Sequence, residues 1–417
     1  MASIADSYPW TTAPLIVGAP MRLISGPSLV HAISAAGGIG FLAAGTDVST
    51  LSENLSSFKS LLSTSPIPGA PSDVLPIGVG FILWGADLKL AVKALSELPE
   101  PPAAVWLFAP SSSEELGSWA NGIRSATKNK SKIWVQASCV ADAIEAIKVA
   151  TPDVFVIQGA DAGGHGRYAS AGLISLVPEL IDAVREYYGN LNGGGDTSSF
   201  HSPPKFVAAG GIADERGVNA ILALGADGAA LGTRFLAAEE AVIRKGYQDA
   251  VLKAEDGGNN TIRTDVYDKL RGTIGWPEGY GGRGVINLSY VDAIKGVSFE
   301  ENEKLYKVAE GAGDKGWEEG NARMTTYAGT AVGLVKEVAK AGDIINYGGS
   351  GQFSSSRGQA ALHHGDVDSW ILMDWANSRR EETEWYHDGL ILYSNYPEFI
   401  LFIIGRVIYS ITKNNNH

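Results

Sequence analysis

KFVAAGGIADERGVNAILALGADGAALGT, residues 205–233, holds the fold in miniature. Lys205–Gly211 is a short apolar run ended by a Gly-Gly turn. Asp214, a residue type that caps helix N-termini, opens Asp214–Leu224, where Val218, Ile221 and Leu222 recur at helical spacing. Gly225 ends that segment, and Gly228–Thr233 is a second apolar run closed by Gly-Thr. Strand, helix and strand joined by tight turns make a parallel unit with a right-handed crossover.

The alternation extends back to the N-terminus. Further apolar runs lie at Leu15–Pro20, Gly38–Ala43, Leu75–Ile82, Ala103–Ala109, Lys132–Ala137 and Val154–Gly159, making eight in all. They are apolar throughout rather than alternating, as befits strands covered on both faces. Helical patterns fall between them: Ser28–Ala36 with Leu29, Ile33 and Ala36; Ala86–Leu98 with Leu90, Ala94 and Leu98 on one face; Ala141–Ala150 with Ala143, Ile144 and Ile147. Eight repeats over residues 1–236 predict an α/β chain folded as a (β/α)₈ barrel rather than an open sheet.

Three stretches stand outside the repeat. Gly189–Pro204 (GNLNGGGDTSSFHSPP) reads as a flexible surface loop. Residues 237–325 are charged and Gly-rich without clear strands, and are expected to form a helical insertion over the C-terminal mouth. Residues 326–352 are then a return segment completing the barrel domain, and 353–417 an atypical tail. The tail holds His363-His364, Trp370, Trp375, Trp385 and the apolar run Phe399–Ile411. That run has 13 residues and includes Arg406, whereas a membrane span needs roughly 20. It reads as a helix packed on the barrel or on a partner, not as a span.

Composition narrows the function. With 417 residues, 45% hydrophobic and 19% charged, the chain can bury a sizeable core. A net charge of −13 lacks the basic footprint of nucleic-acid binding. A single cysteine, Cys139, excludes an internal disulfide and a Cys-based zinc site, and with no basic neighbour it reads as an inert thiol. No metal is expected: His363-His364 with Asp366 and Asp368 reads as a solvated loop. Met1–Trp10 has no basic segment leading into an apolar run, so a cytoplasmic location is expected.

The 51 glycines, against an average of about 7% of residues, gather where barrel enzymes keep their chemistry, after the strands. Gly210-Gly211 after the seventh predicted strand and Gly232-Thr233 after the eighth make paired turns whose backbone N–H groups can approach a phosphate. Thr233 can add a hydroxyl. After the sixth strand, Gln158-Gly-Ala-Asp-Ala-Gly-Gly-His165 brings an imidazole to the mouth on a glycine loop, and imidazole is the side chain suited to proton transfer near neutral pH. Asp161 either orients that loop or forms its turn.

With these residues in view, the sequence resembles the nitronate monooxygenase family, FMN-dependent (β/α)₈ enzymes. Over roughly residues 10–350 the resemblance rests on QGADAGGH (158–165), AAGGIADERG (208–217) and ALGADGAALGTRF (223–235), supported by GAPM (18–21), AAGGIGFLAAG (35–45) and YAGTAVGLV (327–335). It implies an oxidoreductase that uses O₂ to convert alkyl nitronates, with neutral nitroalkanes as a further substrate form, to a carbonyl compound and nitrite. FMN would contact Ala19, Pro20 and Met21, Gln136, Gln158 and Gly163, with its phosphate at Gly210, Gly211, Leu231, Gly232 and Thr233. His165 would be the active-site histidine. Many bacterial members carry Asn where this chain has Gly80, and the strand-seven motif commonly reads Gly-Arg-Gly where this chain has Glu215 before Arg216-Gly217. Two alternatives stay open: a flavin-dependent NAD(P)H:quinone or enoyl reductase, and a flavin-binding protein without catalysis. The partners implied are small molecules and O₂, with a homo-oligomer compatible.

Overall fold

The computed structural model describes residues 4–192, 202–318 and 320–349. Strands β1 (Leu15–Gly18), β2 (Ile39–Gly45), β3 (Leu75–Ile82), β4 (Pro102–Phe108), β5 (Lys132–Ala137) and β6 (Val154–Gln158) follow one another around a barrel. A short strand β7 (Gly164–Arg167) leaves it, and β8 (Lys205–Ala209) and β9 (Gly228–Leu231) close it, β9 pairing in parallel with β1 from Leu15↔Gly228 to Gly18↔Leu231. The eight barrel strands are the eight apolar runs, with ends shifted by at most two residues. At β8 and β9 the strands end earlier because Gly210-Gly211 and Gly232-Thr233 lie just past them.

Helices α1 (Pro27–Ala35), α2 (Leu51–Thr64), α3 (Leu88–Ser96), α4 (Ser113–Thr127), α5 (Val140–Ala150), α6 (Leu173–Asn192) and α7 (Glu215–Ala223) alternate with the strands. Side chains cap several of them: Asp87 accepts from the N–H groups of Lys89 and Leu90, Ser112 from Glu115, and Asp214 from Arg216 and Gly217. Each such cap stabilises its helix by about 1 kcal/mol. On α3 the expected face is rotated: Ala91 and Leu95 are buried, while Leu90 is 51% exposed. Ala94 and Leu98 sit at the edge of the core. The loop expected at Gly189–Pro204 starts later, because α6 continues through Asn192; residues 193–201 lie outside the described residues.

Phe41 on β2 reaches Trp106 on β4 and Trp134 on β5, with ring centroids 5.2 and 5.0 Å apart, so these rings fill the barrel interior. Glycine makes the room: a Cβ at Gly78 on β3 would stand 2.2 Å from the Phe41 ring. Tyr8, from the segment before β1, accepts a 2.7 Å hydrogen bond from the Trp134 indole.

After β9 the chain makes α8 (Lys245–Lys253), α9 (Gly257–Asn260), β10 (Thr261–Thr264), α10 (Val266–Arg271), β11 (Tyr280–Val285), α11 (Leu288–Ile294) and α12 (Phe299–Gly311). The expectation of a strandless helical segment here is corrected. β10, β11 and β7 form a three-stranded antiparallel sheet that joins this region to the His165 segment. The strands were hidden because β11 reads Tyr-Gly-Gly-Arg-Gly-Val, and glycine is a poor strand former. The glycines are needed: a Cβ at Gly281 would strike Tyr168 at 2.4 Å, and one at Gly282 would strike Tyr327 at 2.5 Å. A second small core containing Leu236, Val251, Val332 and Val335 lies under this region. Helix α13 (Ala341–Gly349) then packs against α1 and α7, with Ile344 and Ile345 in the main core, in the place of an eighth barrel helix.

No helix among the described residues is long and apolar enough to cross a membrane. The readings made of His363-His364, the tail tryptophans and Phe399–Ile411 fall outside the described residues.

Candidate active site

A cavity of about 800 Å³ opens at the C-terminal ends of the barrel strands. Ala19, Pro20, Met21, Gln136, Gln158, Gly163, His165, Gly210, Gly211, Gly232 and Thr233 all line it. Leu231 does not; its side chain is 1% exposed within the core, and its carbonyl accepts from the Ala19 N–H at 3.0 Å.

The glycines answer to the backbone. Gly210 and Gly211 have φ of +112° and +73°, a region that L side chains rarely adopt, and a Cβ at Gly210 would stand 2.9 Å from the Ala162 nitrogen. Gly163 lies against the 327–330 segment, where a Cβ would come within 2.4 Å of the Gly329 nitrogen. Gly232 is different. A Cβ there would meet nothing nearer than Ala19 at 3.8 Å, so the missing side chain leaves open space in the cavity. At Gly80, one departure from the family pattern, a Cβ would stand 2.4 Å from Pro20, so this chain leaves no room there for a side chain.

Donors converge on the same space. The Gln136 carbonyl oxygen accepts from the Trp106 indole at 3.0 Å, which fixes the amide and turns its Nε2 to the other side. That Nε2 is buried without a partner, and such a group calls for an acceptor. The Thr233 hydroxyl oxygen accepts from the Gly329 N–H at 2.9 Å and keeps its own proton to give. A planar polar ring with a phosphate suits this chemistry: one orphaned amide donor, a turn with positive φ, a free hydroxyl proton and glycine-made space.

The loop before His165 is held from outside the barrel. Asp161 accepts from the Thr330 hydroxyl at 2.9 Å, so it orients the loop as well as turning it. Arg263 on β10 donates to the carbonyls of Gly164 (2.9 Å), Gly281 (2.7 Å) and Ala162 (2.8 Å). Burial, with Arg283 alongside, pushes its guanidinium down to about 10.

His165 sits on β7, opposite Gly282, with its side chain 13% exposed. Its ring stacks on Trp276 at 3.7 Å and 8°. Its Nε2 lies 2.7 Å from Oδ1 of Asp268, which also accepts from the hydroxyls of Tyr327 and Thr273, both at 2.9 Å. Burial lowers the histidine below its ordinary value; Asp268 opposes that and Arg263 and Arg271 add to it. Burial, with Asp268 beside it, raises the Tyr327 phenol well above its ordinary value, so it donates. Burial also raises the Cys139 thiol, in keeping with an inert residue.

Asp268, Trp276, Arg263 and Thr273 were not foreseen. They lie 98 to 111 residues further along the chain, and no spacing links them to His165. Tyr327 stood inside a quoted motif, YAGT, without a role assigned. Among the described residues no group of three or more His, Cys, Asp or Glu side chains could hold a metal ion.

Comparison with known proteins identifies the family. The family profile described as nitronate monooxygenase matches residues 121–347. The chain is 47% identical to the nitronate monooxygenase npaC of Metarhizium robertsii, over 82% of this chain and 92% of that one. It is 38% identical to a nitronate monooxygenase of Neurospora crassa, over 81% and 89% of the two chains. The solved structure of a nitroalkane oxidase from Streptomyces ansochromogenes superposes with a TM-score of 0.60 at 23% identity, over 84% of this chain and 97% of that one, a likeness of fold. The chain thus belongs to the nitronate monooxygenase family and is an enzyme of the flavin-dependent oxidoreductase class.

Proposed function

We propose that the enzyme holds FMN in this cavity and uses it with O₂ to oxidise alkyl nitronates, and the neutral nitroalkanes they come from, to carbonyl compounds and nitrite. The observation that carries the reading is one cavity shared by the orphaned Gln136 amide, the paired glycine turns and the His165 imidazole. When bound, FMN supplies the redox chemistry with oxygen. Ala19, Pro20, Met21, Gln136, Gln158 and Gly163 would surround its ring. Gly210, Gly211, Gly232 and Thr233 would hold its phosphate, with Leu231 contributing backbone. His165, neutral at physiological pH, takes the α-proton from a neutral nitroalkane. The Trp276 stack keeps the imidazole in place and excludes water from one face. A cytoplasmic location belongs to the same proposal; the single cysteine asks for no oxidising compartment.

The test is native purification, identification of the released flavin, and a nitrite assay in air with propionate 3-nitronate. A yellow protein that releases FMN and forms nitrite is expected. A colourless protein that takes up no added FMN overturns the proposal. So does a yellow one that forms no nitrite but oxidises NAD(P)H anaerobically with a quinone or enoyl thioester.

A further inference from the structure

The His165 imidazole has two faces to its chemistry, and the structure distinguishes them. Nε2 points out of the barrel to Asp268 on α10 at 2.7 Å. Nδ1 makes no hydrogen bond among the described residues, and it is not counted among the buried atoms that lack one. The ring itself lines the cavity.

Asp268 is 7% exposed at its side chain, and its Oδ1 is an acceptor for three neighbours. Tyr327 and Thr273 each bring a hydroxyl proton to that oxygen. A carboxylate oxygen that receives two protons in this way has none to give, so the third partner, Nε2, must be the donor. With the ring neutral, a proton on Nε2 leaves a lone pair on Nδ1.

We infer that Asp268 is a positioning residue that fixes His165 as the Nε2–H tautomer and so makes Nδ1 the base toward neutral nitroalkanes. This rests on the function proposed above. In the step, the substrate's α C–H bond breaks, its electron pair delocalises onto the nitro group, and the proton moves to Nδ1. The imidazolium that forms is stabilised by the Asp268 carboxylate. The other charged or titratable groups around the ring are Arg263 on β10, Arg271 on α10 and Tyr327. Both arginines oppose protonation, so the carboxylate is the one neighbour that favours the cation.

The experiment uses the full-length holoenzyme with ¹⁵N-labelled histidine, the His165→Asn variant identifying the His165 signals among the seven histidines. The wild-type ring is expected as the Nε2–H tautomer. Asp268→Asn, whose amide can donate to Nε2, is expected to move the ring toward the Nδ1–H tautomer. That variant should lose on the order of 10²-fold or more in nitrite formation from neutral nitroethane, within the usual worth of a general base, and less than about tenfold from preformed ethyl nitronate. Asp268→Glu should recover most of the loss. A wild-type ring in the Nδ1–H form overturns the inference, even if Asp268→Asn does not fold. Equal losses on both substrate forms, with flavin lost too, overturn it in favour of a structural role for Asp268. If the wild type makes no nitrite from either form, the proposed function fails, and the tautomer alone decides whether Asp268 orients His165.

Discussion

The barrel turns and the segment from α8 to β11 build the two halves of one cavity by different means. The turns after β8 and β9 work by subtraction: glycine removes side chains where backbone and open space are needed. The outer segment works by addition. Arg263, Asp268, Thr273 and Trp276 bring charge, hydrogen bonds and a stacking face to a histidine that the barrel delivers on β7. Under the proposed function, cofactor space and proton chemistry would come from regions with different sensitivities to mutation.

The largest expected effect is on the subtractive side. Gly232→Leu should leave the fold intact, since a Cβ there meets no atom within 3.7 Å and φ is −110°, yet the side chain would fill the cavity beside Ala19 and Met21. The purified variant should carry little or no flavin and form no nitrite. Full flavin content at wild-type levels would separate Gly232 from the cofactor space.

Next comes His165→Asn, expected to keep its flavin and lose about 10²–10⁴-fold on neutral nitroalkanes, with a smaller loss on preformed nitronates. The wild-type pH profile sharpens this. Burial lowers the histidine below its ordinary value, and the base must be neutral to act. Rates on a neutral nitroalkane should thus be flat above about pH 6.5 and fall only on the acid side of it. The same sign applies to stability: the unfolded chain takes up the proton more readily than the folded one, so this contribution is present above about pH 6.5 and is lost as pH falls. A rate that declines on the alkaline side through this range would contradict a neutral base.

Arg263→Met tests how far the additive region supports the barrel loop. Several carbonyls would lose their donor in a part-buried place, at about 1–3 kcal/mol for an unsatisfied buried group. The thermal midpoint should drop by a few degrees, with nitrite formation reduced more than flavin content. No change in the midpoint would mean that the 160–164 loop holds its shape without the clamp.

The smallest effect is a control on glycine itself. Gly189 lies inside α6 with nothing within 4 Å of a Cβ, so Gly189→Ala should stabilise by up to about 1 kcal/mol and leave activity unchanged. Gly163, Gly210 and Gly211, where a Cβ would clash or φ is positive, should respond in the opposite sense, which separates glycines required by the fold from those merely tolerated.

Much of the barrel was legible in residue order. Lys205–Ala209, Asp214 and Gly228–Leu231 could be read as strand, cap and strand because each signal is local and covers only a few residues. The face of α3 was read one position off because Leu90 is apolar yet exposed, and periodicity does not distinguish the edge of a helix stripe from its centre. Strand β11 was missed because its glycines serve the contacts of Tyr168 and Tyr327, an advantage that exists only once those rings are in place.

The sequence by itself determined the eight-fold alternation, the glycines at the strand ends and a histidine soon after the sixth strand. Those features depend on neighbours within a few residues, so chain order carries them. Only the tertiary structure decided that Asp268 holds Nε2 of His165, and that Trp106 turns the Gln136 amide so that its Nε2 is left without a partner. Asp268 is 103 residues from His165 along the chain, and a 2.7 Å hydrogen bond over that separation is set by how β7, β10 and β11 pair, which no local spacing records.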